Sequence, residues 1–161
     1  MIAQVTGEVR SISSDRVILE VAGIGYLISV TPDTSAAMTL GASLTLHTSM
    51  IVREDSMTLF GFLDQKSREA FELVQTVSGI GPRVALSMLA HLTPEALAHA
   101  IATESIETLS SVPGIGKKGA QRILLELKGK IVSTGSAPSS SSTQPQWREQ
   151  LSGALTSVSY T

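Results

Sequence analysis

Two stretches of the chain, residues 77–85 and 112–120, share the same spacing of glycines and a cation. Each has a valine, then Gly-Ile-Gly beginning two residues later, then a basic residue two positions after the second glycine. The two copies are offset by 35 residues at every matched position. One such loop is a weak signal, but a duplicate at a fixed offset indicates a shared function.

The spacing suits a bound anion. Glycine has no Cβ and adopts positive φ, so the loop can turn sharply and its backbone can approach a ligand closely. The helix that follows begins with unpaired N–H groups and the positive end of its dipole, where phosphate commonly binds. The side chains that would add positive charge are Arg83, Lys117, Lys118 and Arg122. No side chain is evidently arranged to read a base edge, so we expect contacts that do not depend on nucleic-acid sequence.

A second chemical feature is the acidic pair Glu54-Asp55, which we expect at the tip of a β-hairpin. A solvated polar turn would have the same composition. Beside a DNA-binding segment, two carboxylates would instead repel phosphates and favour DNA whose strands part at that point. A metal-dependent catalytic pair is a third interpretation, but adjacent residues on a strand or tight turn point apart, which disfavours joint ligation.

The composition excludes several other chemistries. Without cysteine, the chain has no disulfides, thiolate zinc sites or thiol nucleophiles. His47, His91 and His99 are not at metal-ligand spacings, so we expect surface or packing roles and no metal site. The segment 114–119 fits G-x-G-x-x-G, but a short helix is predicted before it where a dinucleotide site needs a strand. A Walker A loop is also incomplete, so no ATP site and no catalytic residue are predicted.

The charges are unevenly distributed along the chain. The formal net charge is −2, which by itself argues against a nucleic-acid partner. Residues 1–82 contain 5 basic and 9 acidic residues, a balance of −4, whereas residues 83–130 contain 6 basic and 4 acidic residues, a balance of +2. The basic part coincides with the repeated loops, so the total conceals a segment suited to phosphates.

These residues need a scaffold, and the hydropathy pattern changes near residue 63. From residue 2 to 62 the period is two, which predicts about five short strands with a tight turn at Ala22-Gly23. A small antiparallel barrel would close such a set and remove its edges. From Asp64 to Lys130 the period is helical and predicts a bundle of about five short helices, one of them beginning at Thr93-Pro94-Glu95. The last helix has a buried stripe of Ala120, Ile123, Leu124 and Leu127.

Four segments follow from these patterns. They are a barrel with the acidic hairpin at 1–63, a helical DNA-binding domain at 64–132, a flexible Ser-rich linker at 133–146, and a short segment at 147–161 that is either the start of a truncated helical domain or an end that docks onto another surface. The last segment has Trp147, Leu151 and Leu155 at helical spacing. No apolar run reaches the roughly 20 residues of a membrane span and no basic targeting segment follows Met1, so we expect a cytoplasmic protein without a membrane partner.

The duplicated loop closely resembles the helix-hairpin-helix motif, in which two tandem copies grip successive phosphates across the minor groove of duplex DNA. Residues 1–130 as a whole resemble the RuvA family of bacterial Holliday-junction-binding subunits. The segments that carry this likeness are Met1–Glu8, Glu54-Asp55, Thr58–Phe62, Ser78–Pro82 and Val112–Lys118.

The resemblance implies a multi-domain α+β fold, with an N-terminal OB-type barrel followed by an all-α tandem helix-hairpin-helix domain. It also implies a homotetramer, single or paired, that holds a four-way DNA junction open and nearly planar. Glu54 and Asp55 match the family's acidic pin at the crossover. The family's phosphate contacts match the side chains of Arg83, Lys117, Lys118 and Arg122 and the amides of Gly79, Gly81, Gly114 and Gly116.

The partners implied by the resemblance are RuvB and RuvC. In the family the RuvB ATPase uses ATP to drive branch migration, so no cofactor is expected in this chain. The RuvC resolvase of the family can bind the same junction. RuvB is contacted through a C-terminal three-helix domain, of which residues 147–161 would supply only the first helix.

Two other functions are compatible with parts of the pattern. A helix-hairpin-helix glycosylase or nuclease would place a catalytic aspartate shortly after the hairpin, but the last aspartate is Asp64, before both loops. A single-strand or RNA-binding barrel would need stacking aromatics, and only Tyr26, Phe60 and Phe62 are available. Because Phe60 and Phe62 share one strand face, we interpret them as core residues.

Overall fold

The computed structural model describes residues 1–134, in which a five-stranded barrel precedes five helices. The barrel half contains β1 (Gln4–Ile12), β2 (Arg16–Val21), β3 (Ile24–Ser29), α1 (Pro32–Ala36), β4 (Ser43–Val52) and β5 (Met57–Phe62). The helical half contains α2 (Gln65–Gln75), α3 (Pro82–His91), α4 (Pro94–Ala102), α5 (Ile106–Ser110) and α6 (Lys117–Thr134). Of these elements, only the short helix α1 has no counterpart in the sequence-based expectations.

The barrel is closed, with the strand order β1-β2-β3-β5-β4. Neighbouring strands are antiparallel except β3 and β5, which pair in parallel at Ile28↔Leu59 and Ser29↔Phe60. The expectation of an antiparallel barrel is confirmed for four of the five strand pairs and is wrong for β3 and β5, because an odd number of strands cannot alternate in direction around a closed ring. The topology is OB-like, which confirms the predicted fold class.

The turn between β2 and β3 is confirmed at Ala22-Gly23. Both residues have positive φ, 50° and 84°, as a two-residue hairpin turn that matches the strand twist requires. The strands that it joins contribute to the barrel interior, together with β1 and β4. The buried interior residues are Val5, Val9, Val17, Leu19, Ile28, Val30 and Leu46.

The outer face of β5 connects the barrel to the helices. Phe60 and Phe62 point away from the barrel interior and pack on Phe71 of α2, with both ring-centroid distances at 5.0 Å. Ser49, opposite Phe60 on β4, is buried on this same face. The interpretation of Phe60 and Phe62 as core is confirmed, so they are not available to stack on bases.

Side-chain caps begin most of the helices. Asp64 caps α2 by accepting a hydrogen bond from the Ser67 amide at 2.8 Å. Thr93 caps α4, as predicted, by accepting from the Ala96 amide at 3.2 Å, with proline at the first helical position. The predicted stripe on α6 is buried and belongs to the helical core: Ala120, Ile123, Leu124 and Leu127.

Helix α6 continues to Thr134, so Ser133 and Thr134 are helical although the linker was predicted to begin at residue 133. The rest of the predicted linker, residues 135–146, lies outside the described residues. The same holds for the helix predicted at 147–161 with Trp147, Leu151 and Leu155.

Within residues 1–134, no single helix has the length and apolar composition to cross a membrane. Helices α3 and α4 pass that test only as a pair, and they are bent by 95°. Their buried side chains belong to the core of the helical half: Ala85, Met88, Leu97, Ala100 and Ile101.

Candidate nucleic-acid interface

The two repeated segments form loops with the same backbone geometry. The first connects α2 to α3, and the second connects α5 to α6. In the first loop the Ile80 amide donates to the Val77 carbonyl at 3.1 Å, and in the second the Ile115 amide donates to the Val112 carbonyl at 3.0 Å. The preceding glycine has a positive φ in each loop, 81° in the first and 89° in the second. The 35-residue sequence repeat is therefore a structural repeat of two helix-hairpin-helix units.

The loops present free backbone donors at the start of a helix. The first helical hydrogen bonds are Ala85 N–H to Gly81 O at 3.0 Å and Ala120 N–H to Gly116 O at 2.9 Å, again 35 residues apart. In residues 1–134, the amides of Gly79, Gly81, Gly114 and Gly116 have no acceptor. The second loop has one donor more than the first, because Lys117 stands where Pro82 lacks an N–H. Both helix starts are suited to a phosphate group.

Three of the four predicted cations are exposed and unpaired. Arg83, Lys117 and Lys118 have no hydrogen bond or ion pair with any residue of the described chain. Arg122 is also exposed, but its Nη1 donates to the Ser78 carbonyl at 3.2 Å, which leaves its other N–H groups for a ligand. All four lie within the second helix of a hairpin, and Arg83 and Lys118 occupy equivalent positions of the repeat.

The remaining basic residues of α6 are engaged elsewhere. Lys128 forms an ion pair and hydrogen bond with Glu104, and its ammonium holds the pKa of that carboxyl below its usual value. Lys130 hydrogen-bonds to Thr76, at the end of α2. The positive charge that a ligand would meet is therefore concentrated at the start of α3 and the first turns of α6.

Contacts between the hairpins were not predicted from the sequence. Ser87 on α3 donates to the Pro113 carbonyl of the second loop at 3.5 Å, while Arg122 on α6 donates to the Ser78 carbonyl of the first. Both donors and both acceptors are 35 residues apart, so each loop rests on the second helix of the other hairpin. Glu126 adds a contact without such a counterpart, since its Oε2 accepts from the Ser78 amide at 3.1 Å.

The acidic pair lies where the sequence predicted, in the turn between β4 and β5. The Arg53 amide donates to the Ser56 carbonyl at 2.8 Å and closes the turn. Glu54 and Asp55 are exposed at its tip. Among residues 1–134, no three histidine, aspartate or glutamate side chains are grouped so that they could hold a metal ion. The pair thus presents two carboxylates to solvent.

Two family models match the chain. One, described as RuvA N terminal domain, covers residues 1–61, and the other, described as SAM-like Helix-hairpin-helix tandem, covers residues 71–130. Three curated proteins named Holliday junction branch migration complex subunit RuvA are among its relatives. The one from Nocardia farcinica is 48% identical over 167 residues, spanning 99% of this chain and 82% of that protein. The one from Streptomyces avermitilis is 47% identical, spanning 99% and 80%, and the one from Rhodococcus opacus is 52% identical, spanning 84% and 68%.

Proposed function

This chain belongs to the RuvA family, and we propose on that basis that it binds four-way DNA junctions as the DNA-binding subunit of a branch-migration complex. Its role is non-catalytic: it recognises the shape of the junction and presents it to a motor protein. Such a subunit serves homologous recombination and DNA repair. This function requires tight binding to the phosphates of the DNA backbone, and it does not require recognition of a base sequence.

The tandem hairpin carries this proposal. Each loop combines free amides at a helix start with an unpaired cation at the same position of the repeat, Arg83 in one and Lys118 in the other. Phosphate contacts fix the position of a protein on DNA without reading sequence. Two such sites, joined by reciprocal contacts, would grip two backbone phosphates of one arm.

The exposed turn that carries Glu54 and Asp55 favours binding to a junction rather than to an uninterrupted duplex. Two like charges about 4 Å apart repel by about 1 kcal/mol even in bulk water. We propose that Glu54 and Asp55 stand at the crossover and drive the phosphates outward into the arms. Beside them, Val52 and Met57 form a cross-strand pair and are 62% and 73% exposed. Apolar side chains of this kind can contact bases that have lost a stacking partner.

The assembly that we propose follows the symmetry of the substrate. A junction has four arms and one chain carries one tandem hairpin, so a homotetramer, single or paired, would place one hairpin pair on each arm. Four copies would gather eight carboxylates at the centre. The RuvB ATPase would supply ATP hydrolysis, so this chain needs no cofactor, and the RuvC resolvase would share the open junction in the cytoplasm.

A gel mobility assay tests the proposal. A four-way junction, a linear duplex and a single strand with the same arm sequence are titrated with the protein at one salt concentration. We expect tighter binding to the junction than to either linear DNA, and the same affinity when the arm sequences are exchanged. Equal affinity for junction and duplex would refute junction recognition, and preference for the single strand would favour a barrel-based single-strand binder.

A further inference from the structure

Glu126 lies on α6 of the second hairpin but is bonded to the loop of the first. Its Oε2 accepts from the Ser78 amide at 3.1 Å, and Arg122, one helical turn earlier, donates to the Ser78 carbonyl at 3.2 Å. The N–H and the C=O of one residue are thus held by two side chains of the same helix face. Ser78 immediately precedes Gly79, whose amide is one of the free donors of the first loop.

The second loop achieves the same restraint in another way. Pro113 occupies the position of Ser78, and its ring fixes φ near −65° and removes the N–H. No carboxylate is needed there, and His91, the counterpart of Glu126, instead bonds through Nδ1 to the Ser87 carbonyl at 2.8 Å. The first loop has Ser78 in place of the proline, and the carboxylate of Glu126 accepts the hydrogen bond from its amide.

We propose that Glu126 is a positioning residue for DNA binding, which holds the first loop in the conformation that presents the amides of Gly79 and Gly81 to a phosphate. The inference rests on the proposed function. The expected effect of Glu126 on DNA affinity is opposite to that of simple electrostatics, because a carboxylate beside a phosphate site should weaken DNA binding by repulsion. A half-buried Glu126 that is hydrogen-bonded to the loop backbone strengthens binding instead.

Three variants separate positioning from repulsion. Glu126→Ala removes the acceptor and the charge, Glu126→Gln keeps an acceptor oxygen without the charge, and Glu72→Ala removes an exposed carboxylate on α2 that has no partner within residues 1–134. Each is titrated with a four-way junction, and circular dichroism melts verify that it is folded. We expect Glu126→Ala to bind at least about threefold more weakly, since a lost hydrogen bond to a charged group is of that order or larger.

The other variants fix the interpretation. Glu126→Gln and Glu72→Ala should bind at least as tightly as the parent protein, because each loses a negative charge while the loop stays held. An unchanged or increased affinity of Glu126→Ala would overturn the proposal, as would an equal loss in Glu126→Gln.

Amide hydrogen exchange tests the same contact without DNA. In Glu126→Ala the two hydrogen-bonded amides of this loop, those of Ser78 and Ile80, should exchange faster than in the parent protein, whereas in Glu126→Gln they should remain protected. Unchanged exchange in Glu126→Ala would overturn the positioning role. If the parent protein shows no preference for junctions, the proposed function fails, while the exchange experiment still decides whether Glu126 holds the loop.

Discussion

Replacing Lys118 with alanine removes one ammonium group at the start of α6 and leaves the loop backbone intact. Lys118 is exposed and makes no hydrogen bond or ion pair with other residues of 1–134, so the change breaks no contact of the described fold. The plot of log affinity against log salt has a negative slope, and each phosphate contact that is lost reduces the magnitude of that slope by about 0.9. If four subunits bind one junction, four contacts are lost and the magnitude of the slope decreases by about 3.6 in total.

The same relation gives the expected change in affinity. When salt rises from about 50 to 200 mM, the parent protein should lose about 3.5-fold more affinity than the variant for every contact that the variant lacks. The variant therefore binds more weakly at low salt, and the difference narrows as salt increases. Because the proposed contact of Lys118 is with phosphate, the loss of affinity should be the same for junctions of different arm sequence.

Fluorescence anisotropy of a labelled four-way junction, titrated at several salt concentrations, measures this slope. Lys128→Ala is the matched control on the same helix, since the Lys128 ammonium is paired with Glu104, and its slope should equal that of the parent protein. Arg83→Ala, at the equivalent position of the first hairpin, should lower the slope as Lys118→Ala does. An unchanged slope in Lys118→Ala, or an equal fall in Lys128→Ala, would refute the assignment of the phosphate sites.

Three further predictions concern the acidic tip, the barrel and a helix end. The double substitution Glu54→Gln, Asp55→Asn should raise affinity for linear duplex by up to about 30-fold, since it removes a repulsion of about 1 kcal/mol for each of the two carboxylates. An unchanged gel shift would favour a solvated turn. Gly61→Ala should lower the free energy of unfolding by about 1–3 kcal/mol, because the new Cβ would lie 2.6 Å from the Cγ2 methyl of Ile28 inside the barrel. Urea titrations measure this change, and an unchanged unfolding midpoint would contradict this packing. Glu104→Gly should raise that free energy by up to about 1 kcal/mol, because Glu104 has a φ of 54° at the end of α4 and its pair with Lys128 is exposed. Lys128 lowers the pKa of Glu104, so the ion pair contributes to the free energy of unfolding above the ordinary carboxyl pKa. This contribution is lost as the pH falls through the lowered pKa. The glycine variant has no carboxylate at this position and should not show that loss.

Local patterns allowed the sequence to predict much of the fold. Alternation predicted the strands, and Thr93-Pro94-Glu95 predicted the start of α4, because both signals depend on neighbouring residues. Helix α1 was missed although Thr31-Pro32-Asp33 has the same form and Thr31 caps it. Its five residues make less than two helical turns, too few for a helical period to show.

Contacts between distant residues could not be predicted in the same way. The bonds from Arg122 and Glu126 to Ser78 join residues 44 and 48 positions apart. No residue spacing distinguishes a glutamate that accepts from a loop amide from a glutamate that is solvated. A charge count by segment treats every carboxylate near the loops as opposed to DNA binding, and it treats Lys128 as available although Glu104 neutralises it.

The repeat could nevertheless have indicated the contact made by Arg122, because the 35-residue offset applies to that contact as well as to the loops. Where the hairpins are equivalent, a contact from the second helix of one to the loop of the other has a counterpart. Ser87–Pro113 and Arg122–Ser78 are such a pair, whereas the bond from Ser78 to Glu126 has no counterpart. Each loop is then held by the opposite hairpin, so the spacing of the two proposed phosphate sites depends on both units together. Sites of fixed spacing suit the regular backbone of a DNA arm, whatever its sequence.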